Sequence, residues 1–249
     1  KQVIIFQTMQ IKNALTLSVL GVALGLHPVS TAQADHHGES KKKILVVTVT
    51  KGFRHSSIPT AEKILGEIGE KSGDFTVDYA RNDEDIAQKM TAEALENYDG
   101  VFFANTTGDL PIPNPQAFLN WVRSGNGFMG AHSASDTFHG FPPFIDMIGG
   151  EFQTHGPQVE VKAINEDPHH PATRHFPGEF KIFDEIYLFK SYYRDRVHSL
   201  LNMDVHPNRK VPGHYPISWC KAYGDGRMFY TSLGHREDVW ENEEYQKHV

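Results

Sequence analysis

The sequence predicts an α/β protein built on a mostly parallel, doubly wound sheet in three layers, followed by a strand-rich C-terminal half. Three observations predict it. Between residues 43 and 131, apolar strand-like runs alternate with helical stretches across short connections, which is the rhythm of successive βαβ units. The first run, "KILVVTVT" (43–50), has no polar face, as a strand covered on both sides requires. From Val159 onward strand-like runs follow one another, and the last two flank Gly224-Asp225-Gly226 as a hairpin would.

Taken in order, "KILVVTVT" is the first strand and "GFRHSS" the loop after it. Ser56 or Ser57 is the expected cap of a helix over "IPTAEKILGEIGEKSG". "FTVDYA" (75–80) and residues 100–104 of "YDGVFFANTTGDL" are the next strands, separated by a polar, helix-prone stretch. "NPQAFLNWVRSG" (114–125) is an amphipathic helix closed by Gly125, and "GFMGAH" is the strand after it. The later strands are "VEVKAI", "EIYLFK", "HSLLNMD", "PISWCKAY" and "RMFYTSL". The closing "ENEEYQKHV" is a helical pattern without a stop signal, so the natural protein is expected to continue.

Composition narrows the function. The chain has 249 residues and a formal net charge of -7, which disfavours a nucleic-acid partner. Residues 9–34 read as a secretory signal peptide: Lys12, an apolar stretch from Ala14 to Leu26, then Ala32-Gln33-Ala34 as a small-x-small cleavage site. The expectation is cleavage after Ala34, export to the periplasm or medium, and no stable membrane span. Residues 1–8 precede the first methionine and are expected to be extraneous, 35–42 to be a linker, and 43–249 to be one domain. Cys220 is the single cysteine, so no intramolecular disulfide can form, and a strand position suits a small apolar residue better than a catalytic thiol.

In a parallel sheet, ligands sit beyond the carboxyl ends of the strands. The loops there are "KGFRHSS", "NTTGDL", "HSASDTFHG" and "GHREDVW", and each carries residues capable of chemistry. "GFMGAHSAS" has the small neighbours of a nucleophile elbow, yet its centre is His132 rather than serine or cysteine. Ser133 at the apex, with His235 as base, is the weaker register. Of the 15 histidines, His55, His132 and His235 are expected to converge on one rim, with His155 a fourth candidate. Such a cluster suits a divalent metal site or acid/base work near neutral pH, and the sequence leaves both open. Singly, each would be an ordinary surface or hydrogen-bonded histidine. Asp136, Glu185 and Glu237 are candidate orienting or basic groups, with helix capping the competing use for Asp136 and Glu237. Arg54, Asn105, Thr106 and Thr107 offer groups that bind sugar hydroxyls, although Asn105–Thr107 would serve equally in a polar turn. His139 fits either a lid over the elbow or an exposed loop.

These blocks, with "IGGEFQTHGPQVEVKA", "DEIY" and "GRMFYTSLGHREDVW", together resemble the ThuA-like (trehalose-utilisation) family from about Lys43 to the C-terminus. The resemblance implies a flavodoxin-like fold of the class I glutamine amidotransferase-like superfamily. Relatives there carry a Gly-x-Cys-x-Gly elbow and a later His-x-Glu. Here Gly130-Ala131-His132-Ser133-Ala134 stands at the first and His235-Arg236-Glu237 looks like the second. With His132 in the cysteine's place, glutaminase thioester chemistry has no nucleophile. The resemblance implies instead a sugar, glycoside or keto-sugar substrate, and a site that could hold a divalent metal such as zinc. A non-catalytic sugar-binding module is the competing class.

Overall fold

The computed structural model describes residues 41–249; the expected signal peptide and most of the linker lie outside the described residues. The first half contributes β1 (Lys42–Val47), α1 (Ile58–Ser72), β2 (Phe75–Ala80), α2 (Asp83–Lys89), α3 (Ala92–Leu95), β3 (Gly100–Ala104), α4 (Pro115–Arg123) and β4 (Gly127–Ala131). The second contributes α5 (Pro142–Ile148), β5 (Glu151–His155), β6 (Val159–Asn165), β7 (Glu179–Asp184), β8 (Tyr187–Lys190), β9 (His198–Val205), β10 (Pro212–Tyr223), β11 (Gly226–Thr231), α6 (Glu237–Glu241) and α7 (Glu243–His248). Among the described residues nine strands form one sheet, in the order β2-β1-β3-β4-β11-β10-β9-β6-β7. The first five run parallel, and β10, β9, β6 and β7 continue antiparallel. β5 and β8 pair separately as an antiparallel ribbon. The protein is thus a mixed α/β fold around one large sheet.

The two-sided burial expected of the first strand is explained by side-chain alternation. Leu45 and Val47 enter one apolar cluster with Phe103, Phe118, Phe128 and Tyr230. Val46 enters another with Leu65, Phe102, Leu233 and Trp240. Successive side chains of a strand point to opposite faces, so an unbroken apolar run supplies both clusters at once. Asn114 caps α4 by accepting the Ala117 N–H, with Pro115 just inside the helix.

Several expectations change. β1 ends at Val47, and Thr50 makes only an isolated parallel bridge to Thr107. Neither serine caps α1. Ser57 stands at the cap position without a cap bond, its hydroxyl donating to the Gly234 carbonyl, while Ser56 donates to Glu237. The two hydroxyls tie the first loop to the loop after β11 and to the start of α6. The strand expected over "EIYLFK" begins two residues late, because Glu185 donates its N–H to the Asp184 carboxylate and not to a ladder. The segments forming α5, β5 and β7 carry no decisive periodicity in the sequence and are added by the structure.

Candidate metal centre

The carboxyl ends of β1, β3, β4 and β11 place four loops on one rim. At the end of β4 the chain turns sharply: His132 has φ 48°, a left-handed value that costs a residue with a Cβ. Room for the turn comes from Gly130, where a Cβ would stand 3.0 Å from that of Ala134 and 3.2 Å from the Tyr230 ring. The elbow is therefore formed, and its left-handed residue is His132, not Ser133.

His132 is fully buried, and its Nδ1 lies 2.8 Å from the Ser232 carbonyl oxygen. A nitrogen facing a carbonyl must carry the hydrogen, so in the neutral ring the lone pair is on Nε2. That Nε2 faces His55 Nε2 at 3.2 Å, His235 Nδ1 at 3.2 Å and Glu185 Oε2 at 3.6 Å. One ligand atom from each of His55, His132, Glu185 and His235 lies within 4.8 Å of all the others. Three imidazole nitrogens and one carboxylate oxygen, turned toward one another and mostly buried, could hold a metal ion. The donor set is of the kind zinc and neighbouring first-row divalent ions accept.

The electrostatics agree with a neutral, donating His55. Burial, reinforced by His132 and His235, pulls its pKa down to about 3. Burial works against the charge on Glu185, but the neighbouring His132 and His235 rings hold it well below the usual carboxylate range. Burial also opposes a charged His235, yet Glu185 raises it above the ordinary imidazole value. Behind the cluster, the fully buried Asp184 accepts the N–H groups of Glu185 (2.9 Å) and Gly234 (2.8 Å), fixing two of the four segments that carry the ligating groups. Tyr187 lies against the His132 ring, with centroids 4.2 Å apart.

Above the cluster is a cavity of about 270 Å³ lined by Phe53, His55, Asp136, Phe152, His155, Glu185, Tyr187 and His235. The convergence of His55, His132 and His235 thus holds. His155 stands one step back: it contacts Glu185 Oε1 at 3.0 Å, and Glu185 occupies the fourth ligand place expected for it. Asp136 lines the cavity. Glu237 lies in the first turn of α6 bound to Ser56, apart from the ligand group. Arg54, Asn105, Thr106 and Thr107 are absent from the cavity lining. Arg54 donates to the Thr48 carbonyl, Asn105 to Ser57 and Gly234, Thr106 pairs with Thr137, and Thr107 binds the backbone of Gly52 and Phe53. They build the loops. Phe53, Phe152 and Tyr187 carry no local signature in the sequence, being aromatics on an exposed loop or on strands. Trp240 is core, donating to the Gly234 carbonyl.

The family model described as trehalose utilisation (ThuA) matches residues 43–249. A ThuA-like protein from Bacteroides uniformis ATCC 8492 superposes with a TM-score of 0.68 at 21% identity, covering 86% of this chain and 91% of its own. A ThuA-like protein from Parabacteroides merdae ATCC 43184 gives 0.62 at 20% identity, covering 79% and 80%. The β-galactosidase from Bacillus circulans sp. alkalophilus gives 0.54 at 10% identity over 80% of this chain but 30% of its own. No curated protein matches the sequence. At these identities the solved structures speak for the fold alone, whereas the family match spans the whole described domain: the chain belongs to the ThuA (trehalose utilisation) family.

Proposed function

We propose that this chain is an exported, metal-dependent enzyme acting on sugars, in particular glycosides or their keto derivatives. The observation that carries the reading is the group His55, His132, Glu185 and His235, whose four ligand atoms share one small volume beneath a cavity. Family membership supplies the carbohydrate context, and the signal-peptide pattern at 9–34 supplies export. The doubly wound, amidotransferase-like framework belongs to the same reading, its elbow kept and its apex residue given to ligation.

A divalent ion at this place supplies Lewis acidity toward a sugar carbonyl or hydroxyl oxygen. The protein's own residues do the rest. The Ser232 carbonyl fixes the tautomer of His132. His155 orients Glu185. Phe53, Phe152 and Tyr187 give the cavity apolar walls suited to the C–H face of a pyranose. Asp136 brings a carboxylate to the cavity as proton acceptor.

The test is metal analysis of the purified protein and of His132→Ala, followed by turnover assays on 3-keto glycosides. Stoichiometric metal in the wild type, lost in the variant together with turnover, is the expected result. Metal-free protein with unchanged sugar affinity in the variant would overturn the metal reading. Binding without His132-dependent product would make the protein a sugar-binding module.

A further inference from the structure

A second polar assembly adjoins the ligand group without sharing a residue with it. Asp136 closes the 3-10 turn that begins at His132 and lines the cavity. Its Oδ1 lies 2.6 Å from His139 Nε2. The other ring nitrogen, Nδ1, lies 2.7 Å from Oε1 of Glu151. Glu151 is 7% exposed, and it also receives Lys190 Nζ at 3.0 Å and the Ser191 hydroxyl at 3.3 Å. One imidazole is therefore clamped between two carboxylates contributed by different elements.

A neutral imidazole has one N–H and can donate to only one carboxylate. Two contacts this short require either a proton on each ring nitrogen or a protonated acid. Lys190 beside Glu151 favours the ionised acid, and imidazole is a stronger base than a carboxylate, which leaves the doubly protonated ring. The signs then alternate from Lys190 through Glu151 and His139 to Asp136. Beyond His139 lies a second cavity, of about 260 Å³, where it is joined by Asp146, Ser191, Tyr193, Arg196 and Lys221. Those two cations are engaged elsewhere: Lys221 donates to the Asp146 carbonyl, and Arg196 lies over the Tyr193 ring.

We propose that His139 is the positioning residue of the site: clamped by Glu151, it donates to Asp136 and fixes that carboxylate, with Oδ1 committed and the second carboxylate oxygen left to take a proton from a sugar in the metal cavity. The inference rests on the sugar reading above. In the step, Asp136 forms an O–H bond with a proton from a sugar hydroxyl or from the carbon beside a sugar carbonyl. The electron pair of the broken bond stays on the sugar, and the proton returns to product or solvent. No oxidant or reductant is needed. Burial opposes the charge on His139, but Asp136 and Glu151 outweigh it and raise the ring above its ordinary range. Burial likewise opposes Glu151, which His139 and Lys190 lower.

The experiment has two arms on the metal-loaded protein. The first is a 15N-resolved NMR titration of the histidine rings, with His139→Gln assigning the signal. Protons on both His139 nitrogens at pH 7.5 are expected, with the titration midpoint falling by roughly one pH unit in Glu151→Gln. The second uses methyl 3-keto-α-D-glucopyranoside as probe. His139→Gln is expected to lower kcat about 10- to 100-fold with KM within about twofold, and Glu151→Gln to move the alkaline limb of the kcat profile to lower pH. A singly protonated His139, or a His139→Gln variant with wild-type kcat and pH profile, overturns the proposal. Failure of the sugar reading looks different: the wild type neither binds nor converts the probe while His139 is still doubly protonated, which supports the clamp and overturns its use on sugars.

Discussion

The Tyr230 hydroxyl donates a 2.6 Å hydrogen bond to the carbonyl of His132, the residue whose φ of 48° makes the elbow. Both groups are fully buried. A left-handed residue with a Cβ persists only where its surroundings over-determine it. Here they do so from below, through β11, and through the Ser232 carbonyl on the ring. Sheet and site are thus joined at one residue: the strand that packs beside β4 also fixes the imagined axis along which Nε2 points.

Tyr230→Phe tests that junction. The substitution keeps the ring in the core and removes one buried donor, leaving the His132 carbonyl to a 3.4 Å contact from Ser135. An unsatisfied buried acceptor costs about 1–3 kcal/mol. The expected outcome is a destabilisation of that order in urea denaturation, accompanied by weaker metal affinity. Weaker metal binding separates a loosened elbow from simple loss of stability.

Gly130→Ala probes the other side of the turn. The added Cβ would stand 3.0 Å from the Ala134 Cβ and 3.2 Å from Tyr230 Cδ2, closer than van der Waals contact allows. Overpacking of this kind costs about 1–3 kcal/mol. Urea denaturation is expected to show a lower midpoint at unchanged m-value, since the strain lies in the native state and the exposed area is the same.

Acid stability follows from His55. Its folded-state pKa is about 3 against 6.5, because burial and its two histidine neighbours disfavour the charge. A depressed imidazole binds more protons unfolded than folded between those values, so stability falls as pH drops from about 6.5 toward 3. For the metal-free protein the loss is on the order of 3 kcal/mol once solvent and coupling to its neighbours are allowed for. Denaturation in EDTA at pH 7 and pH 4 measures it. His55→Gln is expected to reduce the difference between the two, and an equal difference would show that other groups govern the acid limb.

How much of this was legible before the structure differs by element. β2 and β3 coincide with residues 75–80 and 100–104 because their apolar runs are bounded by clear polar breaks. The meeting of His55, His132 and His235 followed from a topological rule, since all three lie just past parallel strands. Glu185 as a ligand did not follow. It reaches the cluster from the antiparallel extension beyond β7, where strand order cannot be inferred from periodicity. The exchange between Glu185 and His155 has the same origin, because β5 leaves the main sheet and pairs only with β8. The loop residues Arg54, Asn105, Thr106 and Thr107 have the chemistry of sugar ligands but direct it to Ser57, Thr137 and the backbone. Composition reports what a side chain can do, and only packing decides whom it does it with.

Phe53 gives a prediction on binding alone. It is 67% exposed, edge-on to His55 with centroids 4.8 Å apart, and its loop is pinned by Thr107. A large aromatic left in water on a braced loop at a cavity mouth contributes little to folding. Phe53→Ala is therefore expected to leave Tm unchanged while weakening binding of methyl α-D-glucopyranoside several-fold in calorimetry. Phe53→Trp is expected to retain affinity and to report the sugar by indole fluorescence. Unchanged affinity in Phe53→Ala would remove Phe53 from the binding surface.

Metal removal closes the sequence of tests, because ligation and stability are thermodynamically linked. An ion that binds only the folded state stabilises it by RT ln(1 + [L]/Kd), about 4 kcal/mol at a thousandfold excess over Kd. The four candidate ligands come from the loops after β1 and β4, the segment after β7 and the loop after β11. An ion among them would therefore cross-link distant parts of the chain. Adding zinc to EDTA-treated protein is expected to raise Tm by several degrees in a concentration-dependent way. His235→Ala, which removes a partly exposed ligand and little packing, is expected to lose most of that rise while keeping the metal-free Tm. Glu237→Gln, whose carboxylate sits on Ser56 outside the ligand group, is expected to keep the rise. If both variants respond to zinc as the wild type does, the ion binds elsewhere and the histidine cluster is not its site.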